Sequence, residues 1–184
     1  MKIGCLIFLC VVIGFLQSCS PSKNASASKP FNAWDVKSTV KIKKNVPPRI
    51  IDVKNVSAEE LTVFAETLLG IPYRYGSMNI ENGFDCSGFI NYVFNHFKIS
   101  VPRTSADFTN AGKEVTIRES KKGDIILFTG SDAKAGIVGH MGIITENKKN
   151  GFWFIHAASG KGVMISSMNN YFFPRFVKVI RLFP

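Results

Sequence analysis

The chain has 184 residues, with 23 Lys and Arg against 13 Asp and Glu, and a net charge of +10 at neutral pH. That length allows one domain with a proper core and some extra chain. The basic balance suits polyanionic surroundings such as cell-envelope polymers or anionic head groups, whereas scattered cations without a recognisable binding module argue against a nucleic-acid partner.

The 46% hydrophobic content overstates the core, because the first segment is apolar for another reason. Lys2 is followed by an almost unbroken apolar run from Ile3 to Leu16, then by Gln17, Ser18 and Cys19. This is a secretory signal pattern, too short in its apolar centre to span a membrane as a helix. Leu16-Gln17-Ser18-Cys19 resembles the bacterial lipoprotein cleavage box. Residues 1–18 are therefore expected to leave as signal, and Cys19 to carry lipid as the new N-terminus. The expected location is the bacterial envelope, anchored to a membrane. The outer membrane facing the periplasm is preferred, because Ser20 and the acid-free residues after it lack an aspartate-type retention signal.

Residues 20–30 are rich in Ser, Ala, Pro, Lys and Asn and read as a flexible tether. Residues 31–50 carry Trp34 and the alternation Val40-Lys41-Ile42, which hints at a short strand or a segment draped on the domain, and Pro47-Pro48 closes them. The lipidated tether and extension thus run over 19–50, with the folded domain at 51–184.

Ser57-Ala58-Glu59-Glu60 is a capping box opening a helix whose apolar stripe is Leu61, Phe64, Ala65, Leu68 and Leu69, with Gly70 at its end. An aromatic turn, Tyr73-Arg74-Tyr75-Gly76, and a polar loop lead to Asp85. Asp85 is an N-cap candidate for a second helix, and Phe89, Tyr92, Val93, Phe94 and Phe97 would bury one face of it. A short helix is predicted from Ser105 to Asn110. Strands follow over 125–128, 140–146, 152–157, 163–166 and 176–182. Helices first and consecutive antiparallel strands after them indicate an α+β domain with helices packed on a small sheet.

Cys5 and Cys10 leave with the signal and Cys19 carries lipid, so Cys86 becomes the single free thiol of an exported chain. It falls in the first turn of the second helix, where unpaired N–H groups and the helix dipole favour a thiolate. A nucleophilic cysteine needs a base, and the base needs a third group to hold it. His96 shares the helix with Cys86 but lies over two turns away and reads as a surface or interface residue. His140 and His156 fall in two strands of one hairpin. Centring that hairpin on Lys148 sets residue 140 opposite residue 156, on one face of the sheet. A one-residue slip would separate them to opposite faces. Two histidines without a further ligand cluster make a poor metal site, so no metal or other cofactor is expected.

Tyr73-Arg74-Tyr75-Gly76, Phe84-Asp85-Cys86-Ser87-Gly88-Phe89, Pro102-Arg103-Thr104-Ser105, Gly123-Asp124, Gly139-His140-Met141-Gly142-Ile143 and Ile155-His156-Ala157 together resemble the NlpC-type family of bacterial cell-wall cysteine peptidases. The resemblance runs from about Val56 to the C-terminus with the motifs in family order. It implies a papain-like α+β fold in which a cysteine at a helix start faces a small antiparallel sheet. It also implies roles: Cys86 the nucleophile, His140 the general base, His156 the orienting residue, and Tyr73 a helper at the oxyanion. Asp85, Ser87 and Arg103 match positions that support the site or bind substrate. Ser77 after Gly76, Lys122 before Gly123, and long loops before Cys86 and over 131–139 depart from the family pattern and bear on cleft shape.

The resemblance further implies hydrolysis of an amide bond in peptidoglycan stem peptides next to diaminopimelate, through a Cys86 thioester; the chain is expected to act as a monomer. The bond is either the γ-D-glutamyl bond or the D-alanyl cross-link. A cysteine-dependent amidase or acyltransferase on the same fold, and a non-catalytic envelope-binding lipoprotein, are the alternatives.

Overall fold

The computed structural model describes residues 36–38, 40, 47–149 and 151–184. The signal, the lipidation cysteine, the tether and most of the extension, including Trp34, Lys41 and Ile42, lie outside the described residues. From Arg49 onward the chain is tied into the domain, since the Arg49 N–H donates to the Asn110 carbonyl at 2.7 Å and Gly112 N–H donates back to the Arg49 carbonyl.

Helix α1 spans Ala58–Glu66, and its capping box forms as the sequence indicates. Glu60 N–H donates to Ser57 Oγ at 3.1 Å, while Ser57 N–H donates to the Glu60 carboxylate at 2.9 Å. Two otherwise orphaned donors are satisfied reciprocally. Helix α2 spans Cys86–His96 with Asp85 as N-cap. Phe89, Ile90, Val93 and Phe94 along it are fully buried, each contributing about 1.5–3 kcal/mol of apolar burial. His96 is exposed and stacks on Phe64 of α1, ring centroids 3.7 Å apart, so it packs between the two helices.

The strands are β1 (Met78–Asn79), β2 (Gly83–Phe84), β3 (Lys113–Val115), β4 (Ile125–Phe128), β5 (His140–Lys148), β6 (Gly151–Ala158), β7 (Gly162–Ser167) and β8 (Phe176–Arg181). β1 and β2 form a small antiparallel pair. The rest make one antiparallel sheet in the order β3-β8-β4-β5-β6-β7. β1, β2 and β3 leave no strand pattern in the sequence. Each has only two or three residues and no alternation long enough to register as a strand.

The sheet is buried on both sides, and β4 records this in a run of four apolar residues, all fully buried. Ile125, Leu127, Met141, Ile143 and Ile155 pack with the two helices. Ile126, Phe128, Ile144, Phe152 and Phe154 face the other way, covered by Met168, Phe172 and Phe176. Below the sheet end, Arg181 grips buried Asp124 with Nε–Oδ1 at 3.0 Å and Nη2–Oδ2 at 2.8 Å. The Gly123-Asp124 motif therefore serves the scaffold.

The hairpin joining β5 and β6 is not centred on Lys148. Lys148 pairs with Gly151, Asn147 with Phe152 and Glu146 with Trp153, which moves the centre of the pairing beyond Lys148. Carried inward unchanged, that register would place His140 and His156 on opposite faces. A bulge at Thr145 prevents this: beyond it Ile144 pairs with Phe154 and Ile143 with Ile155. The extra residue restores the parity, so the two histidines share a face as diagonal neighbours rather than as direct partners.

Candidate active site

Local structure around Cys86 is set by straps on both sides of it. Phe84 N–H donates to the Pro72 carbonyl, Arg74 N–H to the Phe84 carbonyl and Asp85 N–H to the Ser77 carbonyl, all at 3.0 Å. These bonds hold the aromatic turn against the residues just before Cys86, and Tyr73 and Phe84 form a parallel bridge. The Asp85 carboxylate accepts from Gly88 N–H and from Ser87 Oγ. Arg103 donates to Ser87 Oγ and to the Gly76 carbonyl at 3.0 Å each, and lies 3.5 Å from the Asp85 carboxylate.

The family resemblance implies that Asp85, Ser87 and Arg103 support the site or bind substrate. The structure joins them in one network that ties the helix start to the Gly76–Ser77 turn. None of the three lines the cleft in which Cys86 opens. Gly88 belongs to the same construction. A Cβ there would meet the Ser77 carbonyl oxygen at 2.0 Å, so only glycine lets the first turn approach so closely.

Cys86 is the free cysteine among the described residues and is buried. Its Sγ lies 3.8 Å from the Gly139 carbonyl oxygen, against the chain entering β5. Burial, with the Asp85 carboxylate beside it, pushes the thiol up to about 11, although backbone N–H groups of Ser87, Cys86 and Met141 pull the other way. The helix start alone would favour a thiolate, but in this site desolvation outweighs the N-terminal N–H groups.

His140 opens β5, one residue beyond Gly139. Its Nε2 lies 2.8 Å from His156 Nδ1, with the rings nearly perpendicular at 82°. His156 Nε2 lies 2.9 Å from Ser166 Oγ. Three adjacent strands, β5, β6 and β7, thus supply one line of polar atoms packed among Phe128, Phe154 and Phe172. Burial holds His140 down to about 4 and His156 to about 3, the latter also opposed by His140. Both rings are neutral at pH 7.

No sequence motif marks Ser166. It stands on β7 two residues beyond Met164, the partner of His156, and only the β6–β7 register brings it there. Gly142 marks the crowding on the other side. A Cβ at this position would lie 2.9 Å from the Ile155 carbonyl oxygen and 3.2 Å from the His156 Cβ.

Tyr73, Cys86, His140, His156 and Ser166 all line one cleft of about 860 Å³. Burial and the neighbouring Cys86 and Asp85 raise the Tyr73 phenol, which stays protonated as a hydrogen-bond donor. Among the described residues no three His, Cys, Asp or Glu side chains gather as a metal ion would need.

A family model described as NlpC/P60 family matches residues 70–181. Over 107 residues the chain is 35% identical to the probable endopeptidase NlpC of Escherichia coli strain K12, covering 58% of this chain and 65% of that one. Over 102 residues it is 37% identical to the murein DD-endopeptidase MepS/murein LD-carboxypeptidase of the same strain, covering 54% and 49%. The chain thus spans less than two thirds of either relative. The fold superposes on the crystal structure of an NlpC/P60 family protein from Bacillus cereus with a TM-score of 0.63 and 26% identity, over 72% of this chain and 42% of that one.

Proposed function

Because the chain belongs to the NlpC/P60 family, we propose that it is a cysteine endopeptidase that hydrolyses an amide bond in peptidoglycan stem peptides. Of the two bonds the family resemblance implies, we favour the D-alanyl–diaminopimelate cross-link, the type named for one relative, over the γ-D-glutamyl bond, the type named for a γ-D-glutamyl-L-lysine dipeptidyl-peptidase of Bacillus subtilis. One observation carries the chemistry: a thiol at a helix start shares a cleft with a histidine whose far nitrogen is held by a second histidine.

His140 Nε2 is engaged by His156, which leaves Nδ1 to act as base. In that tautomer Nε2–H donates to His156 Nδ1, and His156 Nε2–H donates to Ser166 Oγ. Thiol and imidazole both rest neutral, so attack is coupled to proton transfer. Cys86 Sγ bonds to the amide carbon as its proton passes to His140 Nδ1. The oxyanion accepts from the Cys86 backbone N–H, one of the orphan donors of the helix start, and from the Tyr73 hydroxyl. Collapse breaks the C–N bond, and His140 returns the proton to the leaving amine. Water then attacks the thioester with His140 taking its proton, releasing the acid and regenerating the thiol.

The lipid anchor is part of the same proposal. Lipid on Cys19 and the long tether place the catalytic domain within reach of the cell wall. Digestion of purified muropeptides with mass analysis tests the function. Conversion of cross-linked dimers to monomers by the wild-type chain, and none by Cys86→Ala, is the expected result. Release of fragments cut at the γ-D-glutamyl bond would reassign the bond, and no cleavage would overturn the reading.

A further inference from the structure

The geometry points to Arg175 as a substrate carboxylate anchor, specific for the carboxylate on the carbon that bears the scissile nitrogen. This rests on the endopeptidase reading above. The cleft wall contains two cations, Lys161 and Arg175, and no Asp or Glu among its described lining residues. A cleft so lined has no acceptor of opposite charge for a free amine, but offers cations to a free carboxylate.

Arg175 is held for that task. Its Nη1 donates to the Tyr171 carbonyl at 2.8 Å and its Nη2 to the Ser131 carbonyl at 2.9 Å, while the guanidinium lies 4.0 Å over the Tyr171 ring. A guanidinium has five N–H donors, so these bonds fix its plane without consuming it. Two buried side-chain polar atoms lack a hydrogen-bond partner among the described residues: Arg175 Nε and Thr129 Oγ1. Both residues line this cleft, and they are neighbours, since Thr129 N–H donates to the Arg175 carbonyl at 2.8 Å. Unpaired buried donors are costly and rare, and an entering carboxylate supplies the missing acceptor. Tyr171, 53% exposed, is the side chain that covers the guanidinium and can yield to it.

The position selects the side of the scissile bond. Phe128 pairs with His140 on one flank and with Phe176, the residue after Arg175, on the other. Phe176 therefore stands about two strand spacings, roughly 10 Å, from His140, and Arg175 precedes it in the turn Phe173–Arg175 that enters β8 and lines the same cleft. His140 delivers the proton to the leaving amine, so the amine half of the substrate lies on this flank. In a D-alanyl–diaminopimelate cross-link the carbon bearing that nitrogen also bears a free carboxylate.

Matched cross-linked peptides test this, one with that carboxylate free and one with it converted to the carboxamide. The wild-type chain is expected to prefer the carboxylate by about tenfold to a hundredfold in kcat/KM, the range of a charge-assisted bond. Arg175→Gln is expected to abolish the preference, and Arg175→Lys, which keeps charge but loses the fork, to retain part of it. Equal turnover of both peptides by the wild type overturns the inference and leaves the endopeptidase reading standing. So does an Arg175→Gln variant that keeps the wild-type ratio. Turnover of neither peptide removes the endopeptidase reading and the inference with it. The substrate-side comparison uses the unaltered chain, so misfolding of a variant cannot decide the outcome.

Discussion

His140 Nε2 and His156 Nδ1 stand 2.8 Å apart although their residues are not opposite each other in the sheet. The bulge at Thr145 makes them diagonal neighbours, and Gly142, across from His156, leaves the room that the meeting needs. The pair depends on the sheet as much as on the two rings.

Separating the two histidines by substitution follows from their different duties. His140 must change protonation, so His140→Ala is expected to lower kcat/KM by about 10²–10⁴-fold. His156 holds His140 through one nitrogen, a task that a neutral amide can share, so His156→Gln is expected to keep more activity than His156→Ala. A dead His156→Gln beside an active His140→Gln would exchange their roles.

Gly142→Ala puts a methyl group 2.9 Å from a backbone oxygen and 3.2 Å from the His156 Cβ. The strand must shift by tenths of an ångström, and the histidine line is displaced with it. The expected outcome is a folded protein whose turnover falls at least tenfold, because small misplacements in a catalytic line cost about 10²-fold. Near-normal turnover with an unchanged circular dichroism spectrum would show that the pair tolerates displacement.

Both histidines lie below their ordinary range because burial disfavours the charged ring. The unfolded chain takes up these protons near pH 6.5 and the folded one only near 4 and 3. Stability is therefore expected to hold above pH 6.5 and to fall through the window from 6.5 toward 4. The slope is about 1.4 kcal/mol per pH unit for each ring. Urea unfolding across this window checks it, and His156→Gln is expected to flatten the slope.

A thiol held up to about 11 by burial is neutral at pH 7. Alkylation of Cys86 by iodoacetamide is therefore expected to remain slow through neutral pH and to rise toward pH 11. A rate already at plateau below pH 7 would mean that Cys86 and His140 rest as an ion pair.

Asp124, 1% exposed, and Arg181 form a bidentate pair at the base of the sheet. Arg181→Met strands a buried carboxylate and is expected to cost about 3–5 kcal/mol, read as a lowered midpoint in urea. The activity of each folded molecule is expected to survive, since the pair lies outside the cleft lining.

Much of this site is legible in short sequence patterns because local rules govern it. The capping box of α1, Asp85 as N-cap of α2, the position of Cys86 at the helix start and the strand that begins at His140 all follow from residues within a few positions of one another. Local rules alone could not place His156, since its partner is set by the pairing of Lys148 with Gly151 and by the extra residue at Thr145. A two-residue period makes each single step reverse every face, and the expected register missed the turn by an amount that the bulge turned into a diagonal meeting. Ser166 and Arg175 carry no motif and gain their places only when β7 and β8 take their positions in the sheet. The ionisation of Cys86 was also decided in three dimensions. Helix position is local and favours the thiolate, but desolvation depends on everything packed around the sulfur, and here it is the larger effect.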